Sequence, residues 1–356
     1  MSELFRKLNL DNIHTVNLYI NLESVLGPLH KPNLEELLAT ETKKEISDHY
    51  KELIANIINL AAHYRLFLTK SKVESSIIFY YNDFKKYGIY NNSVYNKNYR
   101  KHYYNTYHND KYEVINNLII ESIDYTRTIV DYIDRVFMLT SDRLESSVIP
   151  YLCTKDKRMK ADLNLILTKD MYDFQYVNKN FLVLYPAQEE SIILTKKNVI
   201  PYFRYLHEMG EDNYNMELSP LLVPFILSVL GDKKRSLDKI RGIGFKKLYK
   251  GLEKLYEKEY ISDEEPSSFN IENLSNFLKD NNGFFKLGFK EIIGDNYFSI
   301  DLDRQMNVAS TIYNDTILDM IYNKYDNDSL KRLNDKLFSE HPLHLLELNN
   351  YTPRLI

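Results

Sequence analysis

The sequence has 356 residues, of which 44% are hydrophobic and 27% charged, and its formal net charge is −4. These values are typical of a folded globular protein, and the length allows one large core or two smaller ones. No apolar run approaches the roughly 20 residues of a membrane span, and the first residues lack the apolar core of a signal peptide. We therefore expect an intracellular protein that is not secreted and has no membrane partner.

The composition also limits the chemistry and suggests a source. The one cysteine, Cys153, excludes an internal disulfide and a cysteine-based zinc site, and its apolar surroundings predict a buried structural residue. Tyrosine is abundant, with 30 residues, and tryptophan is absent. Together with frequent Asn and Lys, this is typical of an AT-rich coding sequence such as that of a virus or bacteriophage. The host cytoplasm or nucleoid is then the expected location.

The first elements predict a parallel sheet. Residues 15–20 form a β-rich run that ends at Asn21, and apolar residues recur at helical spacing over 48–68. A second apolar run at 76–81 follows. Strand, helix and strand in this order are typical of an α/β domain with parallel strands.

Residues 82–111 change character, because Tyr, Asn, Lys and His dominate and aliphatic residues are few. Such a segment cannot build a core, so we expect a surface excursion that a partner could order. Within it, Lys97, Arg100 and Lys101 stand beside tyrosines, a combination suited to stacking on bases with phosphate contacts nearby. The alternative is an ordinary polar loop of a Tyr/Asn-rich protein.

The next part of the chain continues the alternation of helices and strands. Residues 155–160 carry four cations in a predicted loop. The other elements predicted here, in chain order, are helices over 112–136 and 141–153, a third strand over 163–168, a turn and short helix over 169–177, strands over 181–185 and 191–194, and a helix over 198–209.

A basic helical hairpin follows. Residues 233–254 contain nine Lys or Arg and two acidic residues, and Gly242-Ile243-Gly244 lies between two helical patterns. Glycine adopts positive φ freely and lets another backbone approach, and the N-terminus of a helix accepts phosphate. The hairpin predicts sequence-independent binding to nucleic-acid backbone. The alternative is a hairpin whose lysines form a solvated face.

Several of these motifs together resemble the flap endonuclease and 5′–3′ exonuclease family. They are Gly231-Asp232 with Gly-Ile-Gly ten residues beyond and a Lys-rich helix, the Lys-x-x-Arg element at 97–100, and Asp170 after a strand. The resemblance implies a PIN-like α/β fold, with a twisted, mostly parallel sheet between helices. It also implies three regions: a nuclease-like domain over 1–205 with a loop and helical arch at 82–140, a helix-hairpin-helix over 206–260, and a helical C-terminal extension over 261–356.

The resemblance also implies a cluster of about seven carboxylates that bind two divalent metals, which prefer oxygen ligands. Most of the corresponding positions carry other residues here: Asn21, Tyr81, Leu144, Ser146, Ser147, Tyr172 and Arg235. The remaining candidates are Asp170, Asp232, Glu145 and Asp83, and the nearby Asp142, Asp173 and Asp238 could complete a rearranged cluster. Asp170 and Asp232 could hold one weakly bound Mg²⁺ or Mn²⁺ ion, although a guanidinium at Arg235 would itself neutralise them.

We therefore expect a catalytically degenerate DNA-binding factor in replication or recombination, which grips junction or duplex DNA by its backbone. The implied DNA-binding residues are Gly242, Gly244, Lys246, Lys247, Lys250, Lys97, Arg100 and Lys101, together with the 155–160 loop. The resemblance further implies that backbone carbonyls of the hairpin could hold K⁺. Two alternatives stay open: an active metal-dependent 5′ nuclease, or a structural subunit that contacts replication or virion proteins.

Overall fold

The computed structural model describes residues 8, 12–22, 24, 43–70, 72–82, 123–127, 130, 133–141, 146–178, 180–186, 192–199, 220–231, 237, 239–241 and 243–257. The predictions for 83–111, for 200–209 and for the region 261–356 lie outside these residues.

The structure gives the bounds of six strands, four α-helices and four short 3₁₀ helices. The strands are β1 (Thr15–Asn21), β2 (Glu74–Asn82), β3 (Val136–Ser141), β4 (Leu163–Leu167), β5 (Phe181–Tyr185) and β6 (Ile192–Leu194). The α-helices are α1 (Lys43–Lys70), α2 (Ile149–Lys155), α3 (Val223–Leu230) and α4 (Phe245–Glu257). Short 3₁₀ helices cover Ser146–Val148, Lys157–Met159, Met171–Tyr176 and Pro220–Leu222.

The six strands form one sheet in the order β3-β2-β1-β4-β5-β6. The first five strands of this series pair in parallel, and β6 pairs with β5 in antiparallel. The α/β class with a mostly parallel sheet, expected from the sequence, is confirmed. The chain first adds β2 and β3 on one side of β1 and then β4, β5 and β6 on the other. The strand order therefore reverses between β1 and β4.

Both faces of the sheet are covered, as a parallel sheet requires. Alternate residues of β1 show this directly, because Leu18 packs in one core cluster and Tyr19 in the other. The Leu18 cluster is covered by α1, whose buried residues include Ile57 and Tyr64. The Tyr19 cluster is covered by α2, α3, α4 and the 3₁₀ helix Met171–Tyr176, and it contains the fully buried Cys153.

Two elements differ from the sequence-based expectation. Strand β3 was not predicted; it lies between the helices predicted over 112–136 and 141–153. Helix α2 begins only at Ile149. A short apolar run buried on both faces has no alternation by which periodicity could separate strand from helix. The bounds of helix α3 were not predicted, because seven of its residues are buried and it lacks a polar face.

None of the described helices combines the length and apolar character that a membrane span needs.

The amino-terminal ends of β1 and β4 are joined by a carboxylate. Asp162 accepts hydrogen bonds at one oxygen from the backbone N–H groups of His14 and Thr15, at 2.9 and 3.0 Å, and from the Thr15 hydroxyl at 3.0 Å. These donors lower the pKa of Asp162, with the His14 N–H making the largest contribution. The ionised side chain therefore fixes the pairing of the two central strands at this end.

We expect Asp162→Asn to lower stability near neutral pH and to have little effect in acid. A carboxyl whose pKa is depressed by folding stabilises the protein above its unfolded pKa, and that contribution is lost as the pH falls through the folded pKa. Urea unfolding followed by circular dichroism at neutral pH and at about pH 3 would measure this difference. An equal loss at both pH values would contradict the assignment.

Candidate functional site

The candidate site lies where the strand order reverses, at the carboxyl ends of β1 and β4. In an open parallel sheet this is where ligands bind, because the connections that follow the two neighbouring strands leave toward opposite faces of the sheet and open a crevice between them. Asn21 ends β1, and Thr168 follows β4 directly. The Ser24 hydroxyl lies 3.2 Å from the Thr168 hydroxyl and accepts the Lys169 N–H at 2.7 Å, which ties the two chain exits together.

Asp170 begins the 3₁₀ helix that follows β4. Its backbone N–H donates to the Thr168 hydroxyl at 3.0 Å, and its side chain accepts the Tyr172 N–H at 3.0 Å. This is an N-cap, in which a short acidic side chain satisfies a backbone donor at the start of the helix. The helix then carries Asp173 inward, where its side chain is fully buried against the sheet.

The Asn21 amide points its nitrogen at Asp173. The Asn21 oxygen accepts the Ser24 N–H at 3.1 Å, and a backbone N–H can only donate. The amide nitrogen therefore faces the other way, where it donates to Asp173 Oδ2 at 3.2 Å. The assignment of nitrogen and oxygen is thus fixed by hydrogen bonding at both ends.

A second donor reaches the same carboxylate oxygen. The Tyr80 hydroxyl lies 3.1 Å from Asp173 Oδ2. Burial, and secondly the Asp173 charge, raise the pKa of Tyr80 well above its ordinary value. The phenol therefore keeps its proton and donates. Tyr80 lies opposite Asn21 in the β1–β2 register, so both donors come from adjacent strands and converge on one oxygen.

The environment of Asp173 favours its neutral form. Burial raises the pKa of Asp173, the Asp170 charge adds to this effect, and the hydroxyls of Thr168 and Ser147 and the Asn21 amide oppose it. Within the described residues no hydrogen bond of ordinary geometry reaches Asp173 Oδ1. We therefore regard the two hydroxyls as nearby dipoles rather than fixed donors, and burial as the dominant effect.

Three predicted positions border this cluster. Ser146 and Ser147 are buried in the 3₁₀ helix before α2, and the Ser147 carbonyl accepts the Tyr176 hydroxyl at 2.5 Å. Tyr172 is fully buried in the core cluster below the site. The structure thus gathers Asn21, Asp170, Tyr172 and the two serines at one edge of the sheet.

Tyr81 lies on the other face of the sheet. Its ring packs in the core cluster under α1, its hydroxyl accepts Arg127 Nη2 at 2.6 Å, and the guanidinium lies 5.8 Å from the ring centroid. Side chains alternate along a strand, so it is the preceding residue, Tyr80, that faces Asp173.

The other candidates are outside the described residues. These are Asp83, Leu144, Glu145, Asp232, Arg235, Gly242, Lys97, Arg100 and Lys101, with Asp142 and Asp238.

The described residues do not fit a pair of divalent metals. Among them, no group of three or more His, Cys, Asp or Glu side chains is placed to hold a metal ion. Mg²⁺ and Mn²⁺ need oxygen acceptors, whereas Asn21 and Tyr80 direct an N–H and an O–H at Asp173 Oδ2. The two donors thus stabilise this oxygen by hydrogen bonding, in the place where a metal ion would bind a carboxylate.

The hairpin presents a basic face beside the core. Helix α4 buries Phe245, Leu248, Tyr249 and Leu252, and Lys246 and Lys250 are exposed, with Lys247 half-buried between the two sides. The buried residues follow the i, i+3, i+4, i+7 pattern of an amphipathic helix. The exposed Lys239 and Arg241 precede the helix.

Two of the described glycines, Gly231 and Gly244, have different roles. Gly231, with φ 78°, ends α3 and donates its N–H to the Leu227 carbonyl at 2.9 Å. Gly244 does not have a positive φ, and a Cβ added to it would meet no atom within 4 Å. Backbone strain therefore does not require glycine at 244. The open space instead suits close approach by another molecule at the start of α4.

Among solved structures, the chain is similar to the T5 D15 protein co-crystallised with metal ions, at 12% identity and a TM-score of 0.48, over 91% of this chain and 98% of that one. It is also similar to a complex of the bacteriophage T5 D15 flap endonuclease with DNA and metal ions, at 13% identity, a TM-score of 0.46 and the same coverage. The catalytic core of Rad2 in complex with DNA substrate shows 10% identity and a TM-score of 0.40, over 88% of this chain and 95% of that one. The second of these proteins is a flap endonuclease, the family that the sequence resembles. No protein-family model and no curated protein matches the sequence.

Sequence reasoning did not find the role of Tyr80 or the central place of Asp173. Tyr80 could have been found by alternation, since it pairs with Asn21 once the two strands are in register. Asp173 was noted only as a nearby carboxyl, because its burial depends on the 3₁₀ helix turning inward after Asp170.

We expect Asp173→Asn to increase stability relative to the native chain as the pH rises. A carboxyl whose pKa is raised by folding stabilises the protein below its unfolded pKa, and that contribution is lost as the pH rises through the folded pKa. Each unit by which folding raises the pKa of Asp173 corresponds to about 1.4 kcal/mol of folding free energy that is lost at high pH. Urea unfolding of both proteins from about pH 4 to pH 8 measures the effect. Asp162→Asn is the control, because its pH dependence should have the opposite sense.

We expect Asn21→Asp to create a metal-responsive site. A carboxyl group in place of the amide would remove the donor to Asp173 Oδ2 and leave two buried carboxyl groups facing each other, which should cost about 1–3 kcal/mol without metal. A bound divalent ion would offset that loss, by about 2.7 kcal/mol at a concentration one hundred times its Kd. The measurement is the shift of the unfolding midpoint with added Mn²⁺.

Asn17→Asp is the matched control. Asn17 is also a buried β1 amide on the same face, but it donates to the Met159 carbonyl at 2.6 Å and to Asn164 at 3.3 Å. This variant should be destabilised without rescue by Mn²⁺. A large Mn²⁺-dependent shift in the native chain would contradict our view of the site.

Proposed function

We propose that this protein binds DNA through its phosphate backbone and does not cleave it by a two-metal mechanism. The observation that carries the proposal is the convergence of the Asn21 amide and the Tyr80 hydroxyl on Asp173 Oδ2 at the switch point of the sheet. A nuclease of the family that the sequence resembles would need a cation between acidic groups here. Two protein donors already hydrogen-bond to this carboxyl oxygen.

The local electrostatics support the same conclusion. Metal ligation needs ionised carboxylates, and burial of Asp173 raises its pKa and thus favours the neutral acid. Asp170 is committed to the N–H of Tyr172 as a helix cap. Each of the two described carboxyl groups at this edge therefore has a structural role that explains its presence without a metal.

Helix α4 supports binding to DNA. Its apolar side is anchored in the core, so Lys246 and Lys250 project from a fixed support. Lysines on a rigid face contact phosphates as point charges and release counterions, which gives affinity without sequence preference. The open space at Gly244 would let a phosphate approach the start of the helix, where backbone N–H groups favour an anion.

The wider setting is part of the proposal. A protein that grips DNA without cleaving it would act as an intracellular factor in replication or recombination, and the composition favours a viral source. We propose that residues 1–205 form the nuclease-like domain, 206–260 the helix-hairpin-helix and 261–356 a helical extension. Lys97, Arg100, Lys101 and Gly242 would add to the DNA contacts, and hairpin carbonyls could hold K⁺.

A second candidate function is an active metal-dependent 5′ nuclease. It is favoured by the presence of Asp170 and Asp173 at the switch point, which Asp83, Glu145 and Asp232 could join in a rearranged cluster. In that case the native chain would cleave DNA, and the activity would depend on Asp170.

The deciding experiment measures binding and cleavage together. We expect the purified chain to bind a labelled 5′-flap and a nicked duplex and to cleave neither in Mg²⁺ or in Mn²⁺. Cleavage that is lost in Asp170→Ala would establish the nuclease instead. Absence of both binding and cleavage would favour a structural subunit.

We expect Lys246→Glu combined with Lys250→Glu to weaken DNA binding and to reduce the slope of log affinity against log salt by about 2, because each lysine that no longer neutralises a phosphate lowers the slope by about one. Fluorescence anisotropy between 50 and 200 mM salt measures both quantities. The charge-preserving pair Lys246→Arg and Lys250→Arg should keep the native slope. If the native chain and the Lys246→Glu/Lys250→Glu variant had equal slopes, α4 would not be part of the DNA interface.

A further inference from the structure

A second set of lysines lies at the opposite edge of the sheet from the carboxyl cluster. The turn over 156–160 precedes β4, and the turn over 195–198 follows β6. Strand β6 runs antiparallel to β5, with Leu194 beside Val183, so the chain leaves β6 toward the amino-terminal end of β5. Both turns therefore lie at the amino-terminal edge of the parallel strands.

The first turn is rigid. Asp156 accepts the Arg158 N–H at 2.8 Å and binds the Arg158 guanidinium through both carboxylate oxygens, at 3.0 and 2.6 Å. Met159 is buried in the core, and its carbonyl accepts the Asn17 amide of β1 at 2.6 Å. Lys157 and Lys160, on either side of this anchor, are exposed.

The second turn is fixed in a similar way. The Asn198 oxygen accepts the Thr195 N–H at 2.6 Å, and the Asn198 nitrogen donates to the Ile193 carbonyl at 2.8 Å. Leu194 and Val199, which flank the turn, are buried in the same core cluster as Met159. Lys196 and Lys197 are therefore held outward on an ordered turn, and both are exposed.

Positive charge exceeds negative charge in the two described turns. The two turns and the residues up to Asp162 contain five cations and two carboxylates. Asp156 is paired with Arg158, and Asp162 holds the start of β1. Among the described residues, no ion pair involves any of the four exposed lysines.

We propose that Lys157, Lys160, Lys196 and Lys197, here called the basic edge, form a second binding surface for duplex nucleic-acid backbone. The inference rests on the proposed DNA-binding function and extends it to a surface separate from α4. Two strand spacings separate β4 from β6, roughly 10 Å. A DNA major groove is about 12 Å wide, so long lysine side chains on turns beside these two strands can reach phosphates on both sides of it.

The surroundings of the basic edge favour nucleic acid over a protein partner. Protein interfaces are depleted in lysine and centred on aromatic or apolar side chains. The described residues between the two turns, before β5, are instead Asn178 and Asn180, which are exposed and polar. Lysines and amides are the groups that contact phosphate and sugar oxygens.

The test compares charge reversals on the two surfaces of the full-length chain. A fluorescein-labelled blunt duplex is titrated with native protein, with Lys196→Glu plus Lys197→Glu, and with Lys246→Glu plus Lys250→Glu. Salt is varied from 50 to 200 mM. We expect the first pair to reduce the log–log salt slope by about 2, as the α4 pair does, and all four changes together to reduce it by about 4.

The controls separate the two proposals. Lys196→Arg with Lys197→Arg should preserve the native slope, and circular dichroism should show that each variant is folded. The Lys196/Lys197 reversal could keep the native slope while the α4 reversal reduces it. That result would overturn only the proposal that the basic edge binds nucleic acid, and it would favour another partner there, such as an acidic protein segment. No binding by the native chain would overturn the proposed function itself.

Discussion

The hydrogen bond from Asn21 to Asp173 is the interaction on which the arrangement of the central edge depends. It joins the end of β1 to the 3₁₀ helix after β4, across the point where the sheet reverses its strand order. A fully buried carboxyl group is costly unless donors surround it, and Tyr80 supplies the second donor from β2. Three chain segments are thus held by one oxygen atom.

The sheet separates two chemical environments. Its carboxyl edge holds a buried group of polar side chains joined by hydrogen bonds, and its amino edge carries exposed lysines on hydrogen-bonded turns. The parallel strands impose this division, because every β-to-helix exit is at one edge and every entry at the other. The antiparallel β6 is the exception, and its reversal adds the turn over 195–198 to the amino edge.

Much of this fold could be predicted from the sequence, and the exceptions have physical causes. The approximate positions of β1, α1, β2, β4 and β5 follow from apolar runs and helical spacing, and a parallel sheet follows from their order. Strand β3 and the bounds of helix α3 were not predicted, because elements that are buried on all sides show no amphipathic periodicity. At the site, the sequence indicated that Asn21 stands where an acidic residue was expected. It could not indicate that the amide turns its nitrogen toward Asp173, since that depends on the Ser24 N–H across the turn.

The buried thiol of Cys153 gives the protein a built-in reporter of its own opening. It is the one cysteine in the sequence, it is a fully buried residue of α2, and burial raises its pKa above the ordinary value. An alkylating reagent needs access to a thiolate, so it can react only when this core cluster opens. The labelling rate therefore measures how often the layer that supports both the carboxyl cluster and α4 comes apart. Bound DNA that restrains this layer would slow the labelling without any probe being added to the chain.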